Sequence, residues 1–502
     1  MKKIISLCAI VACCVAMISC SEQEAVQTFK IYPAPEGIDL AKDYIVEVEG
    51  CSTPTYKVII PDSVPIPRLT GSNGKFGVAS MAMFDINSSV EVAVTAKEVI
   101  EKVKILPTSY NIPYTVEGNK VLFAINEPMH LTVEINGNWH ESLHISANPF
   151  EENVPDPNNE NVIYFGPGVH DITSIEVGDN QTVYIAGGAY IRCHSDNEED
   201  QEDELSLGKR KMIAPSFMIK GKNVSFRGRG IIDGGAVPRS KRRFTLLVQD
   251  SDGVEIEGVA FFDPSRWTLP IKCSDNVHVD NIKITGWRGN ADGVDISNSR
   301  DVLVENSFFR TYDDLVVVKT FEGLGEARNI HVRKCVLWSE LAHALSIGAE
   351  VRENVSDVLF EDCDVIHDVG RETALRVYHC DSALIKNVVF QNIRIEEARR
   401  LISMWIGKTR WTASPERGYI NNVVFRNITA TSAPIDPTLT GFQDGTDWKT
   451  YVIKDHASIE IMGYDEGHLI ENVTFDNVVI DGQKIDESYI TESQFTRNVV
   501  FK

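Results

Sequence analysis

Three aspartates in this 502-residue sequence have the types and spacing for bond-breaking chemistry. Asp292 lies in Gly289-Asn290-Ala291-Asp292-Gly293, and Asp313 and Asp314 close Arg310-Thr311-Tyr312-Asp313-Asp314. Each group keeps a similar distance from a repeated strand phrase: Asp292 follows Asn276 by 16 residues, and Asp313 and Asp314 follow Asp301 by 12 and 13. In a stack of coils about 4.8 Å apart, such carboxylates come within the distances that glycoside hydrolysis requires, roughly 6.5–9.5 Å between carboxyl groups for an inverting enzyme. Adjacent carboxylates also resist joint ionisation, which pushes one pKa up. An acid beside ionised neighbours can protonate a leaving oxygen while water is activated. Asp295 and Asp301 read instead as turn aspartates, and Asp295 serves as a control position outside the proposed site.

The elements that must hold these groups are short strands. From Asn223 the chain repeats a phrase of Asn or Asp, aliphatic, any, aromatic or aliphatic, any, with Asn, Asp or Gly often following. Copies start at Asn223, Gly253, Asn276, Asp301, Asn329, Asp357, Asn387, Asn422 and Asn472. Each is a strand of period two with one apolar face, and no amphipathic helix separates them. One such strand cannot bury its apolar face alone, but stacked coils share a core. Asn or Asp at the phrase boundary suits a left-handed turn. The expected fold is all-β: a right-handed parallel β-helix over 162–502, behind a small antiparallel β-sandwich over 20–145 and a linker over 146–161 rich in Pro, Asn and Glu.

Residues 1–19 read as a lipoprotein signal peptide. Lys2 and Lys3 precede an apolar run that is too short for a comfortable span, and Met17-Ile18-Ser19-Cys20 resembles a lipobox that would lipidate Cys20. The expectation is an outer-membrane lipoprotein exposed at the cell surface, with a periplasmic location as the alternative and lipid as its only membrane attachment. The formal charge of −23 disfavours nucleic acid, whose binding rests on Lys/Arg contacts to phosphate. Six cysteines follow Cys20 without zinc-ligand spacing, so neither metal nor cofactor is expected. The acidic run from Asn197 to Glu204 reads as a solvated loop. A monomer is expected, acting on a polysaccharide or its oligosaccharides.

The ordered set Asn290-Ala291-Asp292, Asp313-Asp314, Ala342-His343-Ala344 with Leu345-Ser346-Ile347-Gly348, and Arg376-Val377-Tyr378 resembles the motif series of clan N glycoside hydrolases, polygalacturonase family 28 and dextranase family 49. The resemblance implies an inverting hydrolase with Asp313 as the acid and Asp292 and Asp314 activating water. It gives His343 a supporting role at the acid and subsite, and Arg376 a contact with substrate. Asn290, Trp287, Tyr312 and Tyr378 complete the expected substrate-binding set, and Trp267, Trp405 and Trp411 are further stacking candidates.

Departures from the polygalacturonase wording bear on the sugar. Tyr378 stands where that family carries a lysine, which removes an ammonium that would read a uronate carboxylate. A tyrosine suits a neutral sugar. Arg266, Arg288, Lys319, Arg371 and Lys408 remain as candidate local cations. Two other classes stay open: a non-catalytic β-helix that binds glycans, and a lyase that uses an Arg or Lys base.

Overall fold

The computed structural model describes residues 27–61, 76–195, 201–202, 211–368, 370, 372–409, 411–433, 440–443, 449–452 and 457–502. Residues 1–20, with Cys20 and the segment read as a signal peptide, most of the acidic run from Asn197 to Glu204, and Arg371 lie outside the described residues.

From Val162 onward the chain winds as a parallel β-helix. The first aliphatic residue of each phrase pairs with its counterpart in the next coil, through Val224, Val254, Val277, Val302, Ile330, Val358, Val388, Val423 and Val473. All of these point into one continuous core. Two residues further along, Phe360, Phe390, Phe425, Phe475 and Phe501 stack with ring centroids 4.8, 5.0, 5.3 and 5.0 Å apart. That ladder is the three-dimensional form of the aromatic position in the phrase.

The phrase boundaries have a backbone reason. Asn223, Asn276, Asp301, Asn329, Asp357, Asn387, Asn422 and Asn472 all have φ between +53° and +57°. Asn and Asp tolerate this left-handed region best among residues with a Cβ. Their side chains also bond from coil to coil, as Asn276 does to Asp252 at 2.8 Å and Asn387 to Asp357 at 2.9 Å.

The phrase strands belong to a 21-stranded sheet, and a second, eleven-stranded parallel sheet runs beside it. In that second sheet Leu269–Lys272, Val294–Ser297, Val316–Thr320, Leu345–Val351 and Leu375–His379 are successive neighbours. The aspartate motifs sit in the turns that enter these strands.

The described residues between 29 and 149 form a six-stranded and a five-stranded sheet around their own apolar core. Pairing is antiparallel except between Asn138–Pro149 and Phe76–Ile86, which run parallel. The chain reaches Asn138–Pro149 through several intervening strands rather than a hairpin, so it can lie in either direction. This layer is locked to the β-helix by apolar contact of Tyr56, Val58 and Met81 with Phe262, Phe308 and Trp338. Buried ion pairs reinforce it. Arg229 bonds Asp85 at 3.1 Å. Arg310 bonds Glu340 at 2.7 Å and the His140 carbonyl at 3.1 Å, with its guanidinium 3.8 Å from the Trp338 ring centroid. Arg310 lies three residues before Asp313, so the N-terminal layer braces the segment that carries two of the three carboxylates.

Candidate active site

Coil-to-coil backbone bonds bring the motifs together. Thr268 N donates to Asp292 O at 2.9 Å, Gly293 N to Asp314 O at 2.8 Å, and Leu315 N to His343 O at 2.9 Å. Asp292, Asp314 and His343 therefore occupy the same turn of three successive coils. Gly293 is required for this approach, because a Cβ there would lie 2.2 Å from the Leu315 carbonyl oxygen. That is why the motif reads Asp-Gly.

One oxygen from each of Asp292, Asp313 and Asp314 lies within 4.8 Å of the others. The three carboxylates converge, as their offsets from the repeated phrase predict. The Gly293–Asp314 bond and a shared ammonium draw them in. That ammonium is Lys319, with Nζ 2.6 Å from Asp295, 3.2 Å from Asp292 and 3.9 Å from Asp314. Asp295 is wholly buried and belongs to this cluster, which corrects its reading as a turn residue outside the site. Strand period two puts Asp295 on the outer face. It pairs with Val317, two residues before Lys319, so both side chains project the same way from adjacent coils.

Burial dominates the electrostatics. It pushes Asp314 up to about 8, against the opposing pull of Lys319. Burial and then Asp295 push Asp292 well above the ordinary carboxyl range. Asp295 rises to about 6, again through burial, with Lys319 holding it back. Burial works against the charge of Lys319, yet Asp295 and Asp292 keep it above the usual lysine range. Asp313 is half-buried, as is Asp314; what distinguishes it is its backbone donors, since its carboxylate accepts from Asn290 N–H at 2.9 Å and Asp314 N–H at 3.2 Å. Asn290 thus acts through its backbone, at φ +65°, while its side chain is exposed.

His343 donates from Nδ1 to the Thr373 carbonyl at 2.6 Å and accepts at Nε2 from Arg376. Burial, then the Arg376 charge, hold its imidazole well below the usual range. It is a neutral ring that aims Arg376. The Arg376 guanidinium lies 4.2 Å from the Tyr378 ring centroid.

The expected aromatic platform is largely absent among the described residues. Tyr378 is completely buried, and Tyr312, Trp405 and Trp267 are 3%, 2% and 6% exposed. Tyr378 and Trp405 face outward from their strands but are roofed by Ala349, Trp411 and Met462. Lys319 occupies one approach to Trp267, 4.1 Å from its ring centroid, and Phe244 stacks on it at 5.7 Å. Trp287 and Trp411 are half-buried. Among the candidate cations, Arg288 is tied to Asp263, Val237 and Gly235, Arg266 lies against the Phe244 and Trp267 rings, and Lys408 is exposed.

Comparison with known proteins places this geometry. The family model for glycosyl hydrolases family 28 matches residues 173–474. An exopolygalacturonase from Arabidopsis thaliana is 25% identical over 203 residues, 38% of this chain and 45% of that protein. A polygalacturonase from Juniperus ashei is 28% identical over 212 residues, 40% of each. The chain thus spans less than half the length of these curated relatives. Among solved structures, Dex49A from Penicillium minioluteum aligns over 95% of this chain and 97% of its own, at 15% identity and a TM-score of 0.61. An exopolygalacturonase from Thermotoga maritima aligns over 68% and 83%, at 17% identity and a TM-score of 0.53. At these identities the structural likeness is one of fold. The family match covers more than half of the chain and contains every motif that forms the carboxylate cluster, so the chain belongs to glycosyl hydrolases family 28.

Proposed function

We propose that this protein hydrolyses glycosidic bonds of a polysaccharide or its oligosaccharides by single displacement. The observation that carries the reading is the convergence of Asp292, Asp313 and Asp314 within 4.8 Å inside a family of glycosyl hydrolases. Asp313, oriented by two backbone N–H groups, is the acid that protonates the leaving oxygen. Asp292 and Asp314 share the work of activating water. Inversion follows from those roles. NMR of the first-formed product decides: the expected anomer is opposite to the substrate linkage. A retained anomer would make one of these aspartates a nucleophile.

For the cleaved residue we propose a neutral sugar. The position of the family lysine is taken by buried Tyr378, and Lys319 is enclosed by aspartates. The names of the relatives support galacturonan as the second reading. Incubation with neutral glucans and with homogalacturonan separates the two by release of reducing ends. Absence of an unsaturated, ultraviolet-absorbing product separates hydrolysis from elimination. Neither signal on any glycan would favour a binding module.

For location, the lipobox-like Met17-Ile18-Ser19-Cys20 supports a lipid-anchored surface protein. Cys20→Ala is expected to move the protein from the membrane to the soluble fraction on cell fractionation. Unchanged retention would discard the anchor.

A further inference from the structure

Lys319 is an unexpected residue for its place. It follows Val316-Val317-Val318 in a strand whose outer face is dry at this point, and it is itself 4% exposed. Desolvating an ammonium is strongly unfavourable unless opposite charges meet it. Here they do, from two directions. Asp295 and Asp292 come from the preceding coil, and Asp314 from the turn that enters the strand. The closest contact is to Asp295, whose other oxygen has no hydrogen-bond partner among the described residues, so Lys319 is the group there that meets this buried carboxylate. Trp267 covers Nζ from a further side. The contacts to Asp292 and Asp314 are longer, 3.2 and 3.9 Å, and among the described residues each of these aspartates retains an unpartnered buried oxygen. The ammonium is thus anchored by one carboxylate and leans toward the other two.

We propose that Lys319, anchored by Asp295, is the positioning residue that keeps the Asp292–Asp314 pair singly protonated, the state in which it can take a proton from water. The proposal rests on the hydrolytic reading of this site. With the ammonium present, one member of the pair carries charge while the other keeps its proton. Without it, two desolvated carboxylates beside Asp313 would hold their protons more tightly and lose the base. Other charges face the group as well. Glu350 approaches from the following coil, Arg376 acts on Asp314, and His343 is neutral in this range.

The two partners act on the pair with opposite sign. Lys319 draws Asp292 and Asp314 down, whereas Asp295 pushes both up. Losing Asp295 also leaves the whole ammonium to the pair. A merely structural role would lower activity in both variants without moving their pH profiles in opposite directions.

The experiment is the pH dependence of kcat/KM for wild type, Lys319→Met and Asp295→Asn, in the full chain, on the dextran or homogalacturonan substrate that it cleaves. The acidic limb is expected to move up in Lys319→Met by about 1–3 pH units, the scale of an opposite charge within ~4–6 Å. It is expected to move down in Asp295→Asn. Limbs that stay in place, or shift together, overturn the proposal. A second readout needs no turnover. Carboxyls with raised pKa bind protons in the folded state that the unfolded chain lacks, so stability falls as pH rises through that window. Melting temperature between pH 4 and 8 is expected to fall more steeply in Lys319→Met and less steeply in Asp295→Asn. Expected melting slopes without hydrolysis of any glycan would uphold the charge coupling and sink the hydrolytic reading. Hydrolysis with unmoved limbs and slopes would do the reverse.

Discussion

Asp313→Asn is expected to reduce kcat by about 10²–10⁴-fold, the usual share of general acid–base catalysis, while the protein stays folded. Protonation of the leaving oxygen is the step that water performs worst at neutral pH, and an amide cannot supply it. The substitution keeps the size of the side chain. Its carbonyl can accept from only one of the two N–H groups that now orient the carboxylate, Asn290 and Asp314. The amide NH₂ has to turn toward the open side, which half-buried Asp313 allows, at a cost of about 0.5–1.5 kcal/mol for one lost hydrogen bond. A glycoside with an activated leaving group needs little proton assistance, so it should recover much of the lost rate in Asp313→Asn. Single-turnover kinetics on such a substrate and on the natural linkage give the comparison. Asp314 is the competing acid, because burial pushes it up to about 8 and it holds a proton across neutral pH. If the activated substrate rescues Asp314→Asn and not Asp313→Asn, the two roles exchange.

The fold was legible because two independent constraints repeat along the chain. Period two sets the apolar face of each phrase, and the left-handed φ at its boundary selects Asn or Asp; together they mark the coils from Asn223 to Asn472. The carboxylate cluster was legible from its offset to those marks. What sequence spacing does not carry is the environment added by distant segments. Tyr378 alternates outward from its strand as a sugar-facing residue would, yet Trp411 and Met462 roof it. Asp295 resembles the many turn aspartates of the chain, and its burial depends on register with the next coil. The signal for Lys319 was present as a lone cation after three valines in a strand adjoining the Asp292 motif. Its meaning required knowing that Asp295 and Lys319 project from the same face.

Asp292→Asn and Asp314→Asn are each expected to lose about 10²–10⁴-fold in kcat, with no rescue by an activated leaving group. The double variant should fall little below the worse single one, because groups that act on one water do not contribute independently. Stability should move the other way. In the folded protein Asp314 keeps its proton up to about pH 8, whereas in the unfolded chain it is lost near ~3.9. Its contribution is therefore fully present below the unfolded value and is lost as pH rises through that window. Asparagine has no proton to lose. Asp314→Asn should thus match wild type near pH 4 and exceed it increasingly toward pH 8, by roughly 1 °C in melting temperature for each kcal/mol gained in a chain of this length. Lys319 retains Asp295 and Asp292 as partners in this variant, so no ammonium is stranded. A protein that becomes more stable when it loses a functional carboxylate shows strain held for activity. A lower melting temperature at pH 8 would mean that Asp314 serves the fold, and the case for the pair as a water-activating base would fail with it.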